Sequence, residues 1–282
     1  MKNTTQTSLA RQRLFSCMKW VIIIASIVLF LFPLYYILTL SLKIEVDAFA
    51  YPPKWIFTPT LKNYIVLFQE DGFGRFLFNS VVISAACVII SMVLGVPMSY
   101  GLSRCRASWV KPVMLAILAV RIMPPMGILI PVFSIYVKLG LADTYYGVVL
   151  MYLTFTMPLC VWMLKSAFDG LPLGIEEAGR IDGCSTWQLL LRICMPIVAE
   201  TMAATAILIW VYSWNEFLYA LVLTRNTTKT APVLINSFMN FESIRWGQIA
   251  AAAVIISSPV ILFGILVRKY LVSGMASGAL KE

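Results

Sequence analysis

Residues 168–197 read FDGLPLGIEEAGRIDGCSTWQLLLRICMPI, a long charge-bearing link set between two long apolar runs. Its local signals describe two short helices joined by a turn. Pro172 suits a first helical position, where its missing N–H has no helical partner to lose, and Glu176 and Glu177 complement the positive end of a helix dipole. Leu171, Ile175, Ala178 and Ile181 then recur at three- to four-residue spacing, and Gly183 can end the helix. Ser185 with Gln188 forms a capping-box pattern for a second helix that carries Leu189, Leu190, Arg192 and Ile193 towards Pro196. On these signals alone the segment is either a docking element or an amphipathic hairpin resting on a bilayer.

The flanking sequence identifies the solvent. Of 282 residues, 60% are hydrophobic, 12% are charged and none is histidine, which is far more apolar than a soluble domain of this length. About 20 apolar residues in a helix cross a bilayer core, and a helix satisfies its own backbone polar groups there. Six segments qualify, at about 20–42, 77–102, 113–137, 145–164, 197–223 and 249–267. The expected organisation is a cytoplasmic N-terminal segment (1–19), a six-span transmembrane domain (20–267) with its long internal loop at about 168–196, and a cytoplasmic tail (268–282). The first apolar run is too long for a signal-peptide core and has no small-residue cleavage site after it, so it reads as a retained helix.

Charge orients the spans. Lys2, Arg11, Arg13 and Lys19 before the first span, Arg104, Arg106 and Lys111 after the second, and Arg268, Lys269 and Lys281 after the sixth stand against a single acid, Glu282. The positive-inside bias puts all three segments, and so both termini, in the cytoplasm. The loop 43–75 mixes both signs, with Glu45, Asp47, Glu70 and Asp71, and its Pro52, Pro53 and Pro59 force irregular extended backbone; it is expected outside. By the same count of crossings the segment 165–196 is cytoplasmic. Pro33, Pro97, Pro124, Pro125, Pro131, Pro158 and Pro259 fall within spans. Most suit packing bends, whereas the crowded third span also carries Arg121, and an intramembrane charge faces protein or water, so this span is a candidate wall of a pathway.

Composition also excludes functions. The formal charge of +9 is spread thinly between apolar runs and makes no stripe to track nucleic-acid phosphates. Without histidine the commonest metal ligand and general base are missing. Cys17, Cys87, Cys105, Cys160, Cys184 and Cys194 have no CxxC spacing and read as reduced structural thiols. Neither a nucleophile elbow nor clustered carboxylates assemble a catalytic site, and no metal or cofactor site is expected. An ion-coupled secondary transporter would show an internal repeat and buried coupling acids; no convincing repeat is present, and only Glu200 and Glu216 are intramembrane acid candidates. With no GxxxxGK[ST] sequence, the chain has no P-loop for ATP, and any ATP energy must enter through a partner.

Glu177-Ala178-Gly179, followed by Ile181-Asp182-Gly183 and later by Pro196, resembles the EAA loop of ABC importer permeases, except that Gly179 stands where the family has alanine. Trp210 with Trp214-Asn215-Glu216-Phe217, the run from Trp246 through Ala253, and the ending from Leu271 to Lys281 resemble the second permease of maltose-type and glycerol-phosphate-type systems. The resemblance implies an all-α membrane protein of the type I ABC importer permease fold, with a coupling helix between spans four and five that seats in a cleft of an ATPase subunit. It implies Glu177, Ala178, Gly179, Asp182, Gly183 and Pro196 as coupling residues, and Gly274, Gly278 and Lys281 as tail contacts to the ATPase. The implied partners are an ATP-binding subunit dimer, a second related permease, an extracytoplasmic solute-binding protein, membrane lipid and a sugar, polyol or glycerol phosphate, in the inner membrane of a prokaryote. A permease for amino acids, phosphate or metals would share the loop, so only span five and the tail favour sugar. Arg121, Trp210, Trp214, Asn215, Glu216 and Tyr219 are candidate pathway residues, by ring stacking or hydroxyl hydrogen bonds. Helix anchoring is the competing reading for the aromatics, and inter-helix hydrogen bonding is the expected role of Asn79 and Ser80.

Overall fold

The computed structural model describes residues 3–239 and 244–279, with backbone alone for 3–14, 17 and 267–279. Among the described residues it is helical, the one β-bridge being Met239 with Ile244. The helices are α1 (Asn3–Ser41), α2 (Glu45–Ala48), α3 (Lys62–Gln69), α4 (Phe73–Arg104), α5 (Val110–Ile122), α6 (Pro125–Lys138), α7 (Tyr145–Asp169) and α8 (Leu173–Ile181). They continue with α9 (Thr186–Ile197), α10 (Ala199–Trp214), α11 (Leu218–Leu223), α12 (Ala231–Ser237) and α13 (Trp246–Ala279). Among the described residues, four helical stretches are long and apolar enough to cross a membrane: Met18–Ser41, Phe73–Arg104, Tyr145–Asp169 and Trp246–Leu266. Two bent pairs, α5 with α6 and α9 with α10, bring the count to six if each crosses once.

The bends have local causes. Met123 precedes Pro124, and Pro124 precedes Pro125, so both are pushed out of the helical region; their ψ values are 129° and 122°, and α5 and α6 meet at 91°. The third segment, expected as one span with bends, is thus two helices. Likewise the fifth segment is interrupted at 215–217, between α10 and α11.

The chain divides into two compact units, Met1–Asp71 with Phe238–Ile255 and Gly72–Ser237 with Ile256–Glu282. In the first, Asn63 donates to the carbonyls of Ser41 and Lys43 at 2.9 and 2.8 Å, satisfying groups at the end of α1. Arg245 grips Asp71 through two hydrogen bonds of 2.8 and 2.9 Å, and the proline-bearing stretch 49–61 is irregular as expected.

The second unit is built on α4 and α7, with α10 packed against both. Their seam uses small and hydroxyl side chains, which let helix backbones approach where lipid offers no hydrophobic drive. Ser91 donates to Thr156 at 3.1 Å, and a Cβ on Gly95 would stand 2.5 Å from the Cys160 sulfur. At the Asn79 end of α4 the loop after α11 is folded around Asp143. That carboxylate accepts from the amides of Arg225, Asn226, Thr227 and Thr228 at 3.0–3.1 Å and from the Thr228 hydroxyl at 3.0 Å. Burial alone would raise the Asp143 pKa, but the four amides outweigh it and hold the carboxyl well below its ordinary value.

Candidate functional site: an anchored helix pair and a cavity

The helix pair foreseen between α7 and α10 is present as α8 and α9. Pro172 sits one residue earlier than expected, as the N-cap of α8 rather than its first turn. Gly183 takes φ +84°, and the end of α8 closes with bonds from Gly183 N to Arg180 O and from Cys184 N to Gly179 O, both 3.0 Å. Ser185 and Gln188 form the full capping box that starts α9. Residues Leu189–Cys194 of α9 wind as a π-helix, and the chain then turns through 81° into α10 just past Pro196.

The two glutamates of α8 sit in different surroundings. Glu177 is exposed, whereas Glu176 is 4% exposed and fully engaged. Arg104, the last residue of α4, donates from Nε to Glu176 Oε1 at 2.7 Å and places Nη2 2.6 Å from the same oxygen. Tyr100 donates its hydroxyl to Oε2 at 2.8 Å, and the Cys194 thiol of α9 lies 3.6 Å from Oε1. Burial works to raise the Glu176 pKa, but the hydrogen bonds and charge from Arg104 and Tyr100 prevail, so the carboxyl is held below its ordinary range and is ionised near neutrality. Gly179, also on the buried side, brings α8 so close to α9 that a Cβ there would meet Leu189 Cδ2 at 2.6 Å and Ile193 Cδ1 at 2.8 Å. The departure from alanine is therefore matched by a close helix approach.

With Glu176 and Gly179 turned inward, the opposite side of the pair carries Glu177, Ala178, Asp182 and Gly183 in the open. Beside them Ile181 is 87% and Trp187 63% exposed, and Leu191 and Pro196 are exposed too. The apolar repeat of α8 thus faces away from the protein's own core. An apolar patch rimmed by acids, on short helices fixed from behind, is built to receive a surface. Sequence reasoning gave Glu176 only a helix-end role and Arg104 only an orienting one, and it missed Tyr100. The signal was available: Tyr100 and Arg104 are four residues apart and share one face at a helix end.

A second feature is a cavity of about 800 Å³ between the bend of α5 and α6, α7 and the α10–α11 break. Arg121, Asn215, Glu216 and Tyr219 line it, together with Tyr212 and Phe155, which the sequence reading did not single out. Arg121 lies over the Tyr212 ring at 5.4 Å, and Phe155 stacks on Tyr219 at 6.1 Å. Glu216 accepts from the amides of Tyr219 and Ala220, both at 3.0 Å, and so starts α11 as well as facing the cavity. Trp210 and Trp214, the other two candidate pathway residues, do not line this cavity. Trp214 is 2% exposed and donates to Ile256 O at 2.9 Å, while Trp210 is sandwiched against Trp214 and Phe263, each 5.6 Å away. The Trp214 indole is thus consumed by helix packing, whereas Trp210 is half-buried and its Nε1 has no hydrogen-bond partner among the described residues. Asn79 and Ser80 bond other elements as expected. Gly274 and Gly278 fall in α13 where backbone alone is described, and Lys281 lies outside the described residues.

An all-helical membrane chain with an anchored, outward-facing helix pair between two of its long helices defines the class. Residues 91–277 match the family described as binding-protein-dependent transport system inner membrane component, and the chain belongs to it. Among its relatives, a trehalose transport system permease of Mycobacterium tuberculosis is 33% identical over 79% of this chain and 83% of its own length. A sulfoquinovosyl glycerol transport system permease of Agrobacterium fabrum is 32% identical over 99% of both chains. The fold is similar to a chain of a bacterial ABC transporter that imports the acidic polysaccharide alginate, with TM-score 0.75 and 22% identity over 92% of this chain and 97% of that one.

Proposed function

We propose that this chain is a transmembrane permease subunit of a binding-protein-dependent ABC importer for a carbohydrate, and that α8 with α9 is its coupling element. The observation that carries the reading is the two-sided helix pair: its inner side is fixed to α4 by an ionised Glu176, and its outer side offers Glu177, Ile181 and Trp187 without a cover among the described residues. The chain brings no P-loop of its own, so hydrolysis belongs to an ATP-binding subunit dimer that seats on this surface. Closure of that dimer moves α8 and α9, and the rigid-body shift exchanges inward- and outward-facing states. A second, related permease completes the pathway, and an extracytoplasmic binding protein delivers the solute.

In this reading the chain lies in the inner membrane of a prokaryote with both termini in the cytoplasm, which puts α8 and α9 on the cytoplasmic side. Relatives named for trehalose and sulfoquinovosyl glycerol support a sugar or glycoside as the solute. The cavity supplies suitable chemistry: aromatic faces from Tyr212, Phe155 and Tyr219, and amide, carboxylate and guanidinium groups from Asn215, Glu216 and Arg121. Gly274, Gly278 and Lys281 are proposed as secondary contacts of the tail with the ATPase.

The test is reconstitution of the full importer in liposomes with Glu177→Lys and Gly183→Ala variants. Both are expected to insert and to assemble, and to lose ATP-driven uptake. Uptake at the parental rate by an assembled Glu177→Lys, Gly183→Ala double variant would overturn the coupling assignment.

A further inference from the structure

The helix α4 is fastened by polar side chains at both of its ends, within one compact unit. At one end Tyr100 and Arg104 hold Glu176 of α8 at 2.8 and 2.7 Å. At the other, Asn79 is 1% exposed and donates to the carbonyls of Thr227 and Lys229 at 3.0 and 2.9 Å, while accepting from the Tyr145 hydroxyl at 2.6 Å. At the next residue, the Ser80 hydroxyl accepts from Ala231 N at 2.9 Å. The loop that Asn79 grips is the one organised by Asp143, so it is a shaped body rather than a slack connection. From Asn79 to Arg104 the helix runs about 37 Å at 1.5 Å per residue, enough to join the two faces of a bilayer.

Both end fastenings resist sliding. Glu176 stands in the first turn of α8 and Arg104 in the last turn of α4, so each charge complements the dipole of its own helix as well as its partner. Separating them would leave a carboxylate in a nearly closed site, which is strongly unfavourable. At the far end, Asn79 offers its side-chain amide to the carbonyls of two loop residues, Thr227 and Lys229, and loss of that buried side chain frees both from α4.

We propose that α4 is a strut that carries displacement of the coupling pair to the loop 224–230 on the opposite face, with Glu176, Arg104 and Asn79 as its positioning residues. The inference rests on the coupling reading of α8 and α9. When the ATPase moves α8, the Glu176–Arg104 pair moves α4 with it, and Asn79 moves the loop that faces the binding protein. The same linkage runs in reverse, so docking of a loaded binding protein at that loop alters the ATPase through α4.

The experiment uses the complete importer in liposomes and reads the ratio of ATPase activity with and without loaded binding protein, beside uptake. Variants are Glu176→Gln, Tyr100→Phe and Asn79→Ala, with Glu177→Lys as the control for the coupling reading itself. The expected result is a fall of about fivefold or more in the stimulation ratio for Glu176→Gln and for Asn79→Ala in assembled complexes. The double variant is expected to fall no further than the lower single, because both cut one linkage. A milder loss is expected for Tyr100→Phe, which removes one hydrogen bond and keeps the ion pair, so the proposal stays testable if Glu176→Gln does not assemble. A parental ratio in Tyr100→Phe and Asn79→Ala overturns the strut, as does a double variant whose loss is the product of the singles. If Glu177→Lys keeps uptake, the coupling reading has failed; if it loses uptake while the strut variants keep the parental ratio, only the strut has.

Discussion

Replacing Gly179 by alanine and by leucine measures how closely α8 must approach α9. A β-carbon at this position stands 2.6 Å from Leu189 Cδ2 and 2.8 Å from Ile193 Cδ1, inside contact distance. Leu189 is 1% exposed and has little room to withdraw, whereas half-buried Ile193 can swing its terminal methyl aside. Alanine gains about 1 kcal/mol of helix propensity over glycine. Displacing two methyl tips costs about the same, at the low end of overpacking penalties. Gly179→Ala should therefore unfold within about 3 °C of the parent, on a scale of roughly 2–4 °C per kcal/mol for chains of this size. Leucine adds three more carbons to the same contact, and the tips have no second place to go. A cost of about 3 kcal/mol is expected, lowering the melting temperature by about 8 °C. Intrinsic tryptophan fluorescence on heating the purified assembly follows the transition, and uptake in liposomes should fall with leucine and hold with alanine. A Gly179→Leu protein that melts with the parent and transports normally would refute the close approach of α8 to α9.

The cavity and the loop give further tests. Asn215→Ala and Tyr219→Phe should raise the KM for uptake by about threefold to tenfold, the worth of one hydrogen bond, whereas Trp210→Phe should leave KM unchanged because its ring faces Trp214 and Phe263. Trp214→Phe removes the donor to Ile256 O and should cost about 1 kcal/mol of stability with no change in KM, checked by melting and initial-rate uptake. Asp143→Ala strips acceptors from four amides and should cost about 2–4 kcal/mol and open the loop 224–230 to proteolysis. For both Asp143 and Glu176 the folded carboxyl pKa lies below its unfolded value. Their stabilisation is thus complete above the ordinary carboxylate range, and it is lost only as pH falls through the depressed folded values. Melting temperature should stay level from about pH 5.5 to 8 if these groups dominate, and a steep decline within that window would contradict the assignment.

The order of helices, the apolar segments and the turn chemistry of α8 and α9 were legible in the sequence, because they depend on residues near one another in the chain. Proline pairs, a capping box and a glycine at a left-handed position act over a few bonds, and runs of 20 apolar residues need no tertiary context to prefer lipid. What the chain order did not disclose is which side of each helix faces protein. The adjacent Glu176 and Glu177 are alike by composition, and only the arrival of Tyr100 and Arg104 from a distant part of the chain turns one into an anchor and leaves the other open. Trp210 and Trp214 read as ring-stacking candidates until Phe263 and the carbonyl of Ile256 claim them. Side-chain identity sets what a group can bind; which partner it meets is decided by packing, since a buried polar group or ring takes the neighbour the fold supplies.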